Sequence, residues 1–345
     1  MLELRGISKR MAGFSLRDVS FGVEQGDYFI LLGESGAGKS MILETIAGLV
    51  APDSGTILLN GKDITSEKIQ NRTIGMVFQD HAIFPHLTVE GNIAYSLHGA
   101  DIPKEEKKRR VKAIASELGI RELLKRRPGT LSGGELQRVS LGRTLIQHPS
   151  VLLLDEPLSS LDTRLKSDLR RLLRSINRNG QTIVHVTHDY EEAISLATRI
   201  AVINQGTIIQ TGTPSEVFSH PKSEFVANFI GLKNFFKVTL VRDQDVTYAC
   251  LSDQFRVITD TGLSSGEGFI LIREEEIQIS LGEAETGLIN HFNGRIVEIV
   301  QNSRGVDVTI DAGFELHALI TRESLSKLDL ETGTACWVHF NPTVM

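Results

Sequence analysis

Two cysteines in 345 residues, Cys250 and Cys336, are too few for a disulfide framework, and no Cys-x-x-Cys pair suggests zinc. That scarcity fits a reducing cytosol. No run of about 18 apolar residues is present, so no segment is expected to span a bilayer, and action at a membrane would need a span from another chain. The opening residues, Met1-Leu2-Glu3-Leu4-Arg5, carry an acid early and lack the apolar core of a signal peptide. A basic surplus is missing too. With 37 Lys plus Arg against 43 Asp plus Glu, the net charge is −6, which argues against a protein that works mainly by coating nucleic acid. The ordinary apolar content of 41% excludes a disordered chain.

What is there divides in two, as the length leads one to expect. Up to about residue 235, short β-rich runs alternate with amphipathic segments of helical length, the pattern of an α/β domain with a mostly parallel sheet. Strands are expected at Tyr28 to Leu32, Ile74 to Phe78, Val151 to Leu154, Thr182 to Val186 and Ile200 to Ile203, and helices at Lys39 to Ala47, Lys104 to Leu118 and Arg164 to Ile176. Residues 236–345 read as a separate small all-β domain with one short helix at Glu323 to Leu328. Charge follows the same division: residues 1–235 carry a net +3 and residues 236–345 a net −9. The basic run Lys104 to Lys112 reads as a solvated helix face.

Gly33-Glu34-Ser35-Gly36-Ala37-Gly38-Lys39-Ser40 fits the P-loop pattern, between an apolar strand and a helix. Its glycines let successive N–H groups turn toward phosphate oxygens, and the helix adds its positive end. Lys39 is expected at the β- and γ-phosphates and Ser40 at Mg²⁺. Val151-Leu152-Leu153-Leu154-Asp155-Glu156 supplies a second strand that ends in carboxylates. Asp155 is placed to hold Mg²⁺ and Glu156 to accept a proton from the attacking water.

Leu131-Ser132-Gly133-Gly134-Glu135-Leu136-Gln137-Arg138, with Ser132 lying 23 residues before Asp155, resembles the signature of ATP-binding cassette (ABC) transporter ATPases. The resemblance covers residues 1 to about 230. It implies a P-loop cassette with a helical subdomain, ATP and Mg²⁺ as ligands, and a homodimer in which Ser132, Gly133, Gly134 and Glu135 close over the γ-phosphate held by the other chain. Gln79 resembles the glutamine that reaches Mg²⁺ and the attacking water. Asp162, in Leu158-Ser159-Ser160-Leu161-Asp162, resembles the loop that meets the opposite P-loop, and His188 the switch histidine at the γ-phosphate. His185, three residues earlier, reads as a core or surface histidine. The family's adenine-stacking position falls near Met11, with Phe14 close by.

Phe84-Pro85-His86-Leu87-Thr88-Val89 resembles the groove of importer ATPases that receives a membrane subunit. Docking of permease subunits is therefore expected between Gln79 and His86, with an extracytoplasmic binding protein acting indirectly and no nucleic-acid partner. The same stretch also reads as a turn leading into a helix around Glu90 to Tyr95.

Residues 236–345 resemble the small OB-like domain (TOBE- or Mop-like) that follows many importer cassettes. Ala318 to Leu325 is similar to the version on molybdate and tungstate importers, which places a regulatory oxyanion at Thr321, Arg322 and Ser324 or, alternatively, leaves Thr321 as a helix cap. No Ser-Ala-Arg-Asn-like motif stands around Thr286 to Asn293. The expectation is an importer ATPase at the cytoplasmic face of the membrane, for molybdate or tungstate. The alternatives are sulfate, iron(III), sugar or polyamine import, a soluble ABC ATPase, or a small-molecule sensor.

Overall fold

A computed structural model describes residues 1–11, 13–99, 101–159, 161–244, 246–252, 255–259, 265–282 and 287–344. Ser160 and Thr286, both part of motifs quoted above, lie outside the described residues. The chain divides into two compact units, Met1–Val217 and Phe218–Met345.

The first unit contains strands β1 (Leu2–Met11), β2 (Phe14–Val23), β3 (Tyr28–Leu32), β4 (Ser54–Leu59), β5 (Lys62–Asp63), β6 (Ile74–Val77), β7 (Val151–Asp155), β8 (Thr182–Thr187), β9 (Arg199–Asn204) and β10 (Thr207–Gly212). Its helices are α1 (Lys39–Ala47), α2 (Val89–Tyr95), α3 (Lys104–Glu117), α4 (Gly133–Leu145), α5 (Thr163–Arg178) and α6 (Tyr190–Leu196), with α7 (Pro214–Ser219) straddling the division. Six strands form a sheet in the order β10-β9-β3-β8-β7-β6, parallel except for β10. Every residue of β3, β7 and β8 is buried, as strands covered on both faces require. A second sheet, in the order β2-β1-β4-β5, is antiparallel, and the alternation reading did not anticipate it. Leu4, Ile7, Val19 and Ile57 of that sheet share one core with Ile42 and Ile46 of α1 and with Phe29 and Val184 of the six-stranded sheet.

The anticipated parallel strands and the helices at Lys39, Lys104 and Arg164 are present, with bounds shifted by no more than two residues. Helix α5 buries Leu169, Leu173 and Ile176, the spacing of one helical face. In α3 only Val111 and Ala115 are buried, and Glu105 and Glu106 pair with Lys108, Arg109 and Arg110 along the same helix, the solvated face expected.

The second unit begins with α8 (Glu224–Phe229), followed by β11 (Phe235–Asp243), β12 (Val246–Cys250), β13 (Arg256–Thr259), β14 (Gly266–Leu271), β15 (Gln278–Ser280), β16 (Asn290–Gln301), β17 (Val306–Asp311), β18 (Glu315–Ile320), α9 (Arg322–Leu328), β19 (Ala335–Phe340) and β20 (Thr343–Val344). Two antiparallel five-stranded sheets, in the orders β13-β12-β11-β14-β20 and β15-β19-β16-β17-β18, enclose a core that includes Val238, Ile270, Ile310, Val338 and Phe340. The boundary at residue 235 read from texture falls inside this unit, because α8 packs Ala227 against Phe235 and Leu271.

Candidate functional site

The C-terminal ends of β3 and β7 flank that of β8, and this places the P-loop, Asp155, Glu156 and His188 at one edge of the sheet. Helix α1 starts from Gly38 with φ 104° and no side-chain cap, so its leading N–H groups have no capping side chain. A Cβ on Gly38 would stand 2.7 Å from Phe14, and one on Gly33 would stand 2.3 Å from the carbonyl oxygen of Ile203, so neither position admits a side chain. The main chain of Gly33 is tied to β8 by a bond from its N–H to the carbonyl of Thr187.

Lys39 is 5% exposed. Its Nζ donates to the carbonyls of Gly33 and Glu34, both at 2.8 Å. Burial pushes its pKa down, while Glu156 and Asp155 push it up. The loop is thereby fastened from within, with a cation held where phosphate charge would arrive. Ser40 Oγ donates to Asp155 Oδ1 at 3.0 Å. Burial raises the Asp155 pKa, the Ser40 bond lowers it, and neighbouring Glu156 raises it again. A buried carboxylate beside a hydroxyl, carrying unrelieved charge, is the donor set a hard cation takes. Mg²⁺ therefore fits Ser40 and Asp155.

Glu156 has φ 41°, a left-handed conformation uncommon outside glycine. Its N–H bonds the carbonyl of Val186, and its carbonyl accepts from Ser159 Oγ. Its Oε1 lies 3.2 Å from Nδ1 of His188. A carboxylate only accepts, so Nδ1 carries the hydrogen and Nε2 faces away from Glu156. His185 is wholly buried in β8 and bonded to Tyr28, which decides between its core and surface readings in favour of the core. Gln79 is exposed in the turn after β6, two residues beyond Val77, which pairs with Leu154.

A cavity of about 580 Å³ joins Glu34, Ser35, Gly36 and Ala37 to Met11 and Phe14, the two residues expected at the base. Arg10 and Arg17 line it as well, and the sequence reading passed over both; nothing in the spacing of charges along β1 and β2 singles them out. Among the described residues lining this cavity, Ser132, Gly133, Gly134 and Glu135 do not occur. Ser132 is the N-cap of α4 in a capping box: its Oγ accepts from the N–H of Glu135, and the Glu135 carboxylate accepts from the N–H of Ser132 at 2.7 Å. Ser132 and Gly133 are exposed. Asp162 Oδ1 caps α5 by accepting from the N–H of Leu165 at 3.0 Å.

The stretch from Phe84 to Val89 leads into α2, as its reading as a turn before a helix expects. Thr88 caps α2. Phe84 packs on Tyr95 with ring centres 4.4 Å apart, and His86 and His98 extend the aromatic group. Tyr95 is 52% exposed. At α9, Thr321 Oγ accepts from the N–H of Ser324 and pairs with its hydroxyl at 2.9 Å, which is the cap reading. Arg322 is exposed.

The fold and the phosphate edge define a P-loop nucleotide hydrolase, and comparison with known proteins narrows the class. Residues 16–159 match the family described as ABC transporter. The molybdate/tungstate import ATP-binding protein WtpC of Pyrococcus horikoshii is 38% identical over 100% of this chain and 99% of its own length. The protein of the same name from Pyrococcus abyssi is 40% identical over 100% of this chain and 99% of its own length. The spermidine/putrescine import ATP-binding protein PotA of Nitrosomonas europaea is 39% identical over 94% of this chain and 92% of its own length. Among solved structures, cbiO1 from Clostridium perfringens, part of the ABC transporter complex cbiONQ, is 28% identical with a TM-score of 0.60, over 67% of this chain and 94% of that one. The chain belongs to the ABC transporter family and is the ATP-hydrolysing subunit of an importer. No helix among the described residues is long and apolar enough to cross a membrane.

Proposed function

We propose that two copies of the chain close on two ATP molecules, and that hydrolysis drives uptake of molybdate or tungstate through membrane subunits. The separation of the two phosphate cradles carries the dimer: the P-loop lines the nucleotide cavity, and the signature residues do not. Ser132 and Gly133, exposed at a helix N-terminus, suit a γ-phosphate held by the other copy. Mg²⁺ on Ser40 and Asp155, approached by Gln79, would neutralise charge on the β- and γ-phosphates. Lys39 binds the same oxygens. Glu156 takes the proton of the attacking water as the γ-phosphoryl group passes to it, and His188 is held beside the same edge by Glu156.

The cargo rests on the relatives named for molybdate and tungstate, which match the whole chain. A polyamine is the second reading, because a relative named for spermidine and putrescine spans 94% of it. The second unit, with its two small antiparallel sheets, fits the OB-like domain that follows importer cassettes. The exposed aromatic group around Phe84 and Tyr95 fits the docking face for the permease, at the cytoplasmic side. The oxyanion reading of Thr321, Arg322 and Ser324 is not needed for this function; Thr321 caps α9 there and Arg322 is exposed.

Two measurements test the proposal. Light scattering of Glu156→Gln with ATP should show a shift from monomer to dimer. Cells lacking the chain should lose molybdate and tungstate uptake and regain it on complementation; loss of spermidine uptake alone would transfer the cargo to the second reading.

A further inference from the structure

The turn that leads Gln79 away from β6 passes through a backbone conformation that side chains disfavour. His81 and Ala82 have φ of 62° and 44°, two successive left-handed residues that both carry a Cβ. Such residues are strained and persist only where their surroundings hold them. Within the turn the N–H of His81 bonds the carbonyl of Phe78 and that of Ala82 bonds Asp80 Oδ1, and their carbonyls are held by α4, the helix that begins at the signature. Ser140 Oγ donates to the carbonyl of His81 at 3.0 Å. Arg143 forks across the turn, with Nη1 donating to the carbonyl of Ala82 at 2.5 Å and Nη2 to that of His81 at 3.2 Å.

The same guanidinium lies 5.4 Å from the ring centre of Phe84, the residue that packs on exposed Tyr95. On its other side Phe84 is fixed by Asn92 of α2, fully buried, which accepts from the Phe84 N–H and donates to its carbonyl. One planar cation thus touches the strained turn and the aromatic face while belonging to the signature helix. A lysine here would be a point charge with neither the fork nor the stacking plane.

We propose that Arg143, supported by Ser140, is the positioning residue that aims Gln79 at the metal and phosphate edge and joins that aim to the Phe84 face and the signature helix. The inference rests on the role of Gln79 given above. Without the fork, His81 and Ala82 relax toward right-handed conformations, and Gln79, two residues before His81, loses its fixed exit from β6. Displacement of Phe84 acts on the same guanidinium, so an event at the aromatic face reaches Gln79 without any change at the P-loop.

The test uses the purified full-length chain. With the charge-assisted bonds lost, Arg143→Ala should lower kcat about tenfold or more. ATP affinity without Mg²⁺ should stay within about twofold, since the P-loop is untouched. Backbone amides from His81 to Phe84 should exchange faster in the nucleotide-free variant. Adding Ala82→Gly, which accepts positive φ without strain, should restore kcat to within about threefold of the unaltered chain. A deficit that glycine fails to relieve, or that Arg143→Lys fully relieves, overturns the proposal in favour of packing or of charge alone. If Arg143→Ala folds poorly, Ser140→Ala takes its place, with a smaller kcat loss that Ala82→Gly should reverse; no loss, or no reversal, overturns the proposal equally. Gln79→Ala separates the two layers. An unchanged kcat there refutes the role of Gln79, whereas a loss there beside a normal Arg143→Ala leaves Gln79 in place and refutes Arg143.

Discussion

Asp155 is the residue at which stability and chemistry pull in opposite directions. Burial holds its carboxyl above the usual range, so its proton is bound more tightly in the folded chain than in the unfolded one. Its contribution therefore favours the fold below the ordinary aspartate pKa and is lost as pH rises through the raised value, leaving a net cost at neutral pH. Asp155→Asn should melt at a higher temperature than the unaltered chain in the absence of nucleotide and lose the further rise that Mg²⁺ and ATP give; a lower melting temperature would contradict the stated balance. Glu156 is a different case. Glu156→Gln keeps the shape of the residue and should bind ATP while turnover falls by about 10²-fold or more, as measured by phosphate release. Lys39→Ala should instead lose nucleotide affinity. These proposed roles could be read from the sequence because each residue type stands beside the motif that gives it meaning. That of Arg143 could not, because its partners are carbonyls some 60 positions away, and carbonyls have no signature in a sequence.

At the level of elements, helices here start either with a side-chain cap or without one. Ser132, Asp162 and Thr321 each accept a backbone N–H in the first turn of their helices, and Gly38 has no side chain to do so. Thr321→Ala should cost about 1 kcal/mol in the urea midpoint of the second unit and leave ATP hydrolysis unchanged. A loss of hydrolytic rate, or of its response to molybdate, would return Thr321 to the regulatory role its sequence context implied. Apolar runs revealed β3, β7 and β8 because strands buried on both faces leave an unbroken apolar signature. The antiparallel sheet of β1, β2, β4 and β5 escaped because it is buried on one face only and interrupted by register shifts, at Leu4 and Ile7 in β1 for example. Helix α8 escaped because its short apolar face reads as a continuation of the preceding loop, and its fit against β11 is fixed only by the fold.

Taken whole, each unit has a core cluster of its own among the described residues. Calorimetry of the full chain should resolve two transitions, with Mg²⁺ and ATP shifting only the one that belongs to the first unit. At a hundredfold excess over the dissociation constant, the shift corresponds to about 2.7 kcal/mol. A single transition that moves as one would show that the units unfold together. The order of strands around β3 also bears on how the protein is made. Tyr28–Leu32 lies between β8 and β9, and Tyr28 pairs with Ile183. At 5–20 residues per second, synthesis needs roughly ten to thirty seconds to supply that neighbour. For that interval a strand of five apolar residues has neither of its neighbours to pair with. The phosphate edge therefore cannot form until more than half of the chain has been made.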